Sequence, residues 1–376
     1  MMLGLSERST QSKLGGLQGL RGFAVVLVVY YHMLTAVYSY HGGALGSVLS
    51  STGQIGQAGV DIFFTISGFI MSYTRKDSMT GFSGSMTFLK HRFKRVIPLY
   101  WFWTAIVIAL WFFKFVHRSV AFPDSGTIIG SLLLWPMKNV IEPFQPILSQ
   151  GWTLSFEAYF YIFFAVAIMV RVPTRLMVLF LCAVYATIYL VARAVSHEES
   201  VLYLTSSPLI CEFILGMIAA QIVKGLSRSP VNSHMGYAAI AVSVIAFLVM
   251  LYLTSYGIAI DKYRVVIFGV PAFAIVLGVV IYDLAHPVTS RVLLYIGNAS
   301  YSIYLSHGFL SMLAGAALKR GLGHNVSADV LCIVGTVAIV VVSSLTYLTI
   351  EKPMLRLVHY QGRPAGPDSV AASTVS

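Results

Sequence analysis

Apolar residues run through this chain in long blocks. They lie near 17–38, 56–74, 96–116, 151–170, 175–194, 207–224, 235–254, 263–283, 296–317 and 328–349. Each block approaches the roughly 20 residues that carry a helix across a bilayer. The pattern predicts about ten transmembrane helices and an all-α polytopic membrane protein. The stretch TIIGSLLLWPM, 127–137, is too short to span and predicts a re-entrant or interfacial segment. Residues 1–16 and 358–376 are polar and flank a single membrane domain over 17–357; the Pro- and Gly-rich end predicts a disordered tail. There is no internal repeat of the kind from which many secondary transporters are built.

Composition agrees with the blocks. The 376 residues are 57% hydrophobic and 10% charged, against about 25% charged in soluble domains. A net charge of +11 would suggest nucleic acid in a soluble protein. In a membrane protein it reads instead as basic residues gathered on the cytoplasmic side. Most of the 25 basic residues fall on one side if both termini are cytoplasmic, so the expected orientation is N-in and C-in. The N-terminus lacks a small-residue cleavage site after a short apolar core, so the first span is expected to stay in the mature protein. Cys182, Cys211 and Cys332 sit in apolar blocks and read as packing residues. No cluster has metal-ligand spacing.

Ionisable residues inside spans are costly and mark functional sites. His32, Asp61, Glu157 and Glu212 come from four different blocks, and the alternating span directions place all four in the outer part of the membrane. Ser300, Tyr304, His307 and Ser311 follow a 4-3-4 spacing, so one helix face carries a polar stripe. Arg21 and His32 are eleven residues apart, within about 20° of three full turns and separated by roughly 16 Å along one face. A cavity wall carrying both could hold an anion at the cytoplasmic mouth and deliver a reactive group to the outer half. Arg92 and Arg95, spaced i, i+3 in a basic loop before the third span, suit phosphate recognition and equally suit membrane anchoring. A lone His can merely bond a neighbouring helix, Arg21 can merely snorkel, Asp61 can merely pair locally, and Glu212 reads as structural or functional alike.

These residues carry a family resemblance. LQGLRGFAVVLVVYYHM contains Arg21, ten intervening residues and His32; it resembles the opening signature of the acyltransferase family 3 membrane proteins. GVDIFFTISGFIMS, Arg92-x-x-Arg95, QGWTLSFEAYFYIFF, IGNASYSIYLSHGFL and IEKPMLR resemble the family's later motifs in order, and the likeness is greatest to the branch tied to exopolysaccharide production. Where the family usually has W-H-x-P, this chain has Ser306-His307-Gly308-Phe309. The chain also ends without the hydrolase-type domain that some members carry.

The resemblance implies an O-acyltransferase of the bacterial inner membrane. It would move an acyl group, usually acetyl, from cytoplasmic acyl-coenzyme A to a carbohydrate or lipid-linked glycan. Arg21, Arg92 and Arg95 would hold the donor phosphates, His32 would act as base or acyl carrier, and Asp61 or Glu157 would orient it. His307 and Tyr304 would position the acceptor or stabilise the oxyanion, with Glu212 as a further acceptor contact. No metal is implied. The partners expected are the bilayer, acyl-CoA and the glycan, with no nucleic acid; a homodimer or glycan-assembly partners are compatible. The competing readings are a proton-coupled transporter or flippase for a polysaccharide intermediate, and a non-catalytic member of a glycan-assembly complex.

Overall fold

The computed structural model describes residues 14–40, 52–116, 120–137, 144–196, 198–227, 230–256 and 260–360. The expected terminal segments, 1–16 and 358–376, lie outside the described residues except for 14–16 and 358–360. Among the described residues all regular structure is helical.

The order is α1 Gly15–Tyr40, α2 Ala58–Thr74, α3 Gly81–Phe112, α4 Ser125–Leu132, α5 Gly151–Met169, α6 Met177–Val195, α7 Glu199–Thr205, α8 Ile210–Leu226 and α9 Ser233–Ser255. Then come α10 Ile260–Arg264, a π turn Val265–Gly269, α11 Val270–Ala285, α12 Arg291–Lys319, α13 Ala328–Thr346, a second π turn Tyr347–Glu351 and α14 Lys352–Tyr360. Nine of the described helical stretches are long and apolar enough to cross a membrane. The tenth expected span, 296–317, is the 29-residue α12. It has the length, and its stripe of Ser300, Tyr304, His307 and Ser311 lowers its hydropathy.

One expectation changes. The basic stretch before the third span is not a loop: it is the first half of the continuous helix α3, which begins at Gly81 and ends at Phe112 rather than running over 96–116. The short stretch 127–137 overlaps the eight-residue α4, Ser125–Leu132, capped by Asp124, whose carboxylate accepts the Thr127 N–H at 2.6 Å. That N–H lowers the Asp124 pKa. The Tyr100 hydroxyl and the Trp101 indole of α3 donate to the carbonyls of Ser131 and Leu132 at 2.7 and 2.9 Å, so α4 docks on the side of α3.

Small residues set the helix crossings, as is usual where lipid gives no hydrophobic drive between helices. A Cβ on Gly297 of α12 would lie 2.0 Å from the Gln18 carbonyl oxygen of α1, and one on Gly22 would lie 3.1 Å from the Gly297 nitrogen. These glycines bring α1 and α12 together as a parallel pair. The second close crossing joins α2 to α8, where a Cβ on Gly68 would meet the Phe213 carbonyl at 1.9 Å and one on Gly216 the Thr65 carbonyl at 2.0 Å. An aromatic core joins α8 to α5 and α2: Phe213 stacks on Phe160 at 4.6 Å and tilts against Phe64 at 4.7 Å.

Candidate active site

The α1–α12 pair positions two histidines. His32 and His307 each lie ten residues beyond the crossing glycines Gly22 and Gly297, about 15 Å further along each helix. Their ring centroids are 4.8 Å apart, with planes at 72°. The Nδ1–H of His32 donates to the Val28 carbonyl at 2.9 Å. The Nδ1–H of His307 donates to the Tyr304 carbonyl at 2.6 Å and lies 3.3 Å from that of Ile303. A carbonyl can only accept, so each Nδ1 carries the proton and each neutral ring keeps its lone pair on Nε2. The Nε2 of His307 is buried without a hydrogen-bond partner among the described residues.

Both imidazoles line a chamber of about 640 Å³, together with Gln57, Gln145, Gln150, Trp152 and Arg264. The Gln150 side chain lies against α12 at Gly308, where a Cβ would come within 1.6 Å of its amide nitrogen. Gly308, at the free position of that motif, leaves room for the amide beside His307; nothing in the structure explains the departures at Ser306 and Phe309.

A second chamber, of about 830 Å³, lies toward the N-terminal end of α1 and holds Arg21 from α1 with Arg92 and Arg95 from α3. Phe63, Phe64, Ile66 and Ile70 make its apolar wall. Arg21 reaches Gln18 at 3.4 Å. Arg92 lies over the rings of Phe88 and Tyr161 at 5.5 and 5.9 Å. Glu157 sits in this arginine chamber, not beside His32. It accepts from the Ser67 hydroxyl at 2.6 Å and from the Tyr161 hydroxyl. Glu351, at the end of the second π turn, accepts from Ser302 and acts electrostatically on Arg21.

Asp61 takes a different part from the one expected. Its two oxygens accept from Arg264 Nε and Nη2 at 2.9 and 2.8 Å, a two-pronged ion pair with the carboxylate fully buried. Glu212 packs beside Asp61, fully buried and in side-chain contact with it. Neither acid lines either chamber. Backbone carbonyls, not Asp61 or Glu157, orient the two imidazoles. The four ionisable groups do not share the one depth expected: Glu157 meets Ser67, six residues past Asp61 along α2, about 9 Å further along the helix, and the four divide among three environments, the histidine chamber, the arginine chamber and the buried ion pair. Arg264 and Gln150 were missed in the sequence. Arg264 reads there as a loop cation at the head of a span, and Gln150 had only its place before Gly-Trp to single it out.

The fold is a polytopic helical bundle that brings two imidazoles together beside an arginine-lined chamber. The chain belongs to acyltransferase family 3: residues 14–346 match the family's acyltransferase domain. It is 32% identical over 307 residues to the exopolysaccharide production protein ExoZ of Rhizobium meliloti, covering 80% of this chain and 90% of that one. It is 25% identical over 389 aligned positions to the acyltransferase MdmB of Streptomyces mycarofaciens, covering 92% of each. Similarity to the O-acetyltransferase OatA of Staphylococcus aureus is 25% over 325 residues and spans 50% of that protein. No solved structure matches significantly. Among the described residues, no group of three His, Cys, Asp or Glu side chains is arranged to hold a metal.

Proposed function

We propose that this protein transfers an acyl group, acetyl in the first instance, from acyl-coenzyme A to a hydroxyl of an envelope glycan at the bacterial inner membrane. One observation carries the reading: a chamber with three guanidiniums adjoins a chamber with two imidazoles whose proton-accepting nitrogens are left open. Phosphates suit the first, because guanidinium forks bind oxyanions with charge-assisted hydrogen bonds. The apolar wall beyond the arginines suits a pantetheine arm. The donor would enter from the cytoplasm and the acceptor would occupy the histidine chamber. The names of ExoZ and OatA support a polysaccharide acceptor and an acetyl donor group.

In the transfer step, His32 Nε2 takes the proton of the acceptor hydroxyl as its oxygen attacks the thioester carbonyl. The resulting tetrahedral oxyanion collapses, the new C–O bond persists, and the C–S bond breaks. The proton then passes from His32 to the departing thiolate, leaving acylated glycan and free coenzyme A. His307 Nε2 accepts from a second hydroxyl of the sugar and fixes its orientation. The Gln150 amide supplies an N–H donor to the developing oxyanion. Asp61 acts one step removed, by holding Arg264 in the chamber wall. Membership of an acyltransferase family sets the transporter reading aside.

The test uses protein purified in nanodiscs, radiolabelled acetyl-coenzyme A and a crude bacterial envelope-glycan extract as acceptor, with thioester loss followed over time. Wild type consumes the thioester. His32→Gln is expected to lower the rate roughly a hundredfold or more, the range of a positioned general base. Full turnover in a properly inserted His32→Gln protein would remove His32 from the mechanism.

A further inference from the structure

The arginine and histidine chambers share two wall residues, Val60 of α2 and Tyr304 of α12; every other wall residue among the described residues belongs to one side alone, so these two form the neck between them. Neither side of this neck can retreat easily. Tyr304 is held by a 2.9 Å hydrogen bond between its hydroxyl and that of Thr153 on α5. Its ring is edge-on to Phe63 at 6.0 Å and rests against His307 at 5.6 Å. Val60 is fixed through its neighbours. A Cβ on Gly59 would lie 2.3 Å from the Ala24 carbonyl, and one on Gly56, in the turn before α2, would lie 2.6 Å from the Leu27 carbonyl, so the start of α2 and the turn before it press directly on the α1 backbone. Val60 and Tyr304 are each 8% exposed.

The chambers also differ in character across the neck. The arginine chamber approaches it along Phe63, Phe64 and Ile66. The histidine chamber receives it among Gln57, Gln150 and Arg264. A group crossing from one to the other leaves an apolar wall for a polar one. A carbonyl with one methyl can project across and meet His32. Each further methylene must either crowd Val60 and Tyr304 or sit among polar groups that it cannot satisfy.

We propose that Val60 and Tyr304 form an acyl-length filter, passing a two-carbon acyl group to His32 and discriminating against longer chains. This rests on the arginine chamber being the coenzyme A site. The test is isothermal titration of the full chain in nanodiscs with coenzyme A and with non-hydrolysable thioether analogues of acetyl-, propionyl- and butyryl-coenzyme A. In wild type, coenzyme A and the acetyl analogue bind comparably, and affinity falls roughly tenfold for each added methylene, the usual discrimination of a fitted apolar site. Val60→Ala brings the propionyl analogue to within a few-fold of acetyl. Val60→Ile keeps the neck packed and steepens the fall. Tyr304→Phe keeps the ring but frees it from Thr153, and shifts the series in the direction of Val60→Ala.

Affinities that stay flat with chain length in wild type, or a series unmoved by all three variants, overturn the filter while leaving the coenzyme A site standing. Failure of wild type to bind coenzyme A itself overturns the donor site, and the filter with it.

Discussion

His32 is chemically useful because its own helix disposes of one nitrogen. The Val28 carbonyl, one turn back, takes the Nδ1 proton and turns the Nε2 lone pair outward; His307 repeats the device with Tyr304. The sequence made both histidines legible, through the Arg21 spacing and the polar stripe. It could not show that backbone carbonyls orient them, because any helical residue offers such a carbonyl. Gln150 was illegible for a related reason: its value depends on Gly308, 158 positions away. That pairing gives a prediction at this scale. Gly308→Ala puts a methyl where the Gln150 amide lies, so Gly308→Ala and Gln150→Ala should each lower turnover. The double variant should lose no more than the worse single one, because both remove the same contact. Additive losses in steady-state rates would count against it. Asp61 gives another. Asp61→Asn strips the countercharge from Arg264, and breaking a buried pair from one side costs about 3–5 kcal/mol. Thermal unfolding should show a clear loss that Asp61→Asn with Arg264→Met partly recovers.

At the scale of elements, glycine placement decides which residues meet. Apolar block lengths located the helices to within a few residues in most cases. They failed at α3, because a basic amphipathic stretch lacks the apolar signature of a span even when it continues one. They gave no hint of the π turns at Val265–Gly269 and Tyr347–Glu351, where the first follows Arg264 and the second ends on Glu351. Such turns often sit at functional sites. The crossings themselves were not legible, since a glycine in an apolar block looks the same whether it faces lipid or a neighbouring backbone. Gly297→Ala tests the α1–α12 crossing. With its Cβ 2.0 Å from the Gln18 carbonyl, the helices must separate, at an overpacking cost of about 1–3 kcal/mol. A lowered unfolding temperature and slowed thioester turnover are expected together. Gly22→Ala, whose nearest contact is 3.1 Å, should be milder in both. Equal effects would mean that the crossing does not set the spacing of the histidines.

For the whole molecule, the issue is direction: which end of the bundle faces the cytoplasm. From the distribution of basic residues we propose that the Arg21 end faces inside. In a cysteine-free background, Arg320→Cys at the far end of α12 should react with an impermeant maleimide in intact spheroplasts. Arg291→Cys at its near end should react only after lysis. The reverse pattern would invert the donor and acceptor sides. In the proposed mechanism two adjoining chambers divide the work, guanidiniums binding the donor and imidazoles doing the chemistry. Acetyl-coenzyme A affinity and glycan-dependent thioester turnover, measured side by side in His32→Gln and Arg21→Ala purified in nanodiscs, separate the two roles. His32→Gln should bind the donor as wild type does and scarcely turn it over. Arg21→Ala should bind weakly and regain turnover as donor concentration rises. Undiminished turnover in His32→Gln, or unchanged donor affinity in Arg21→Ala, would contradict this division of work.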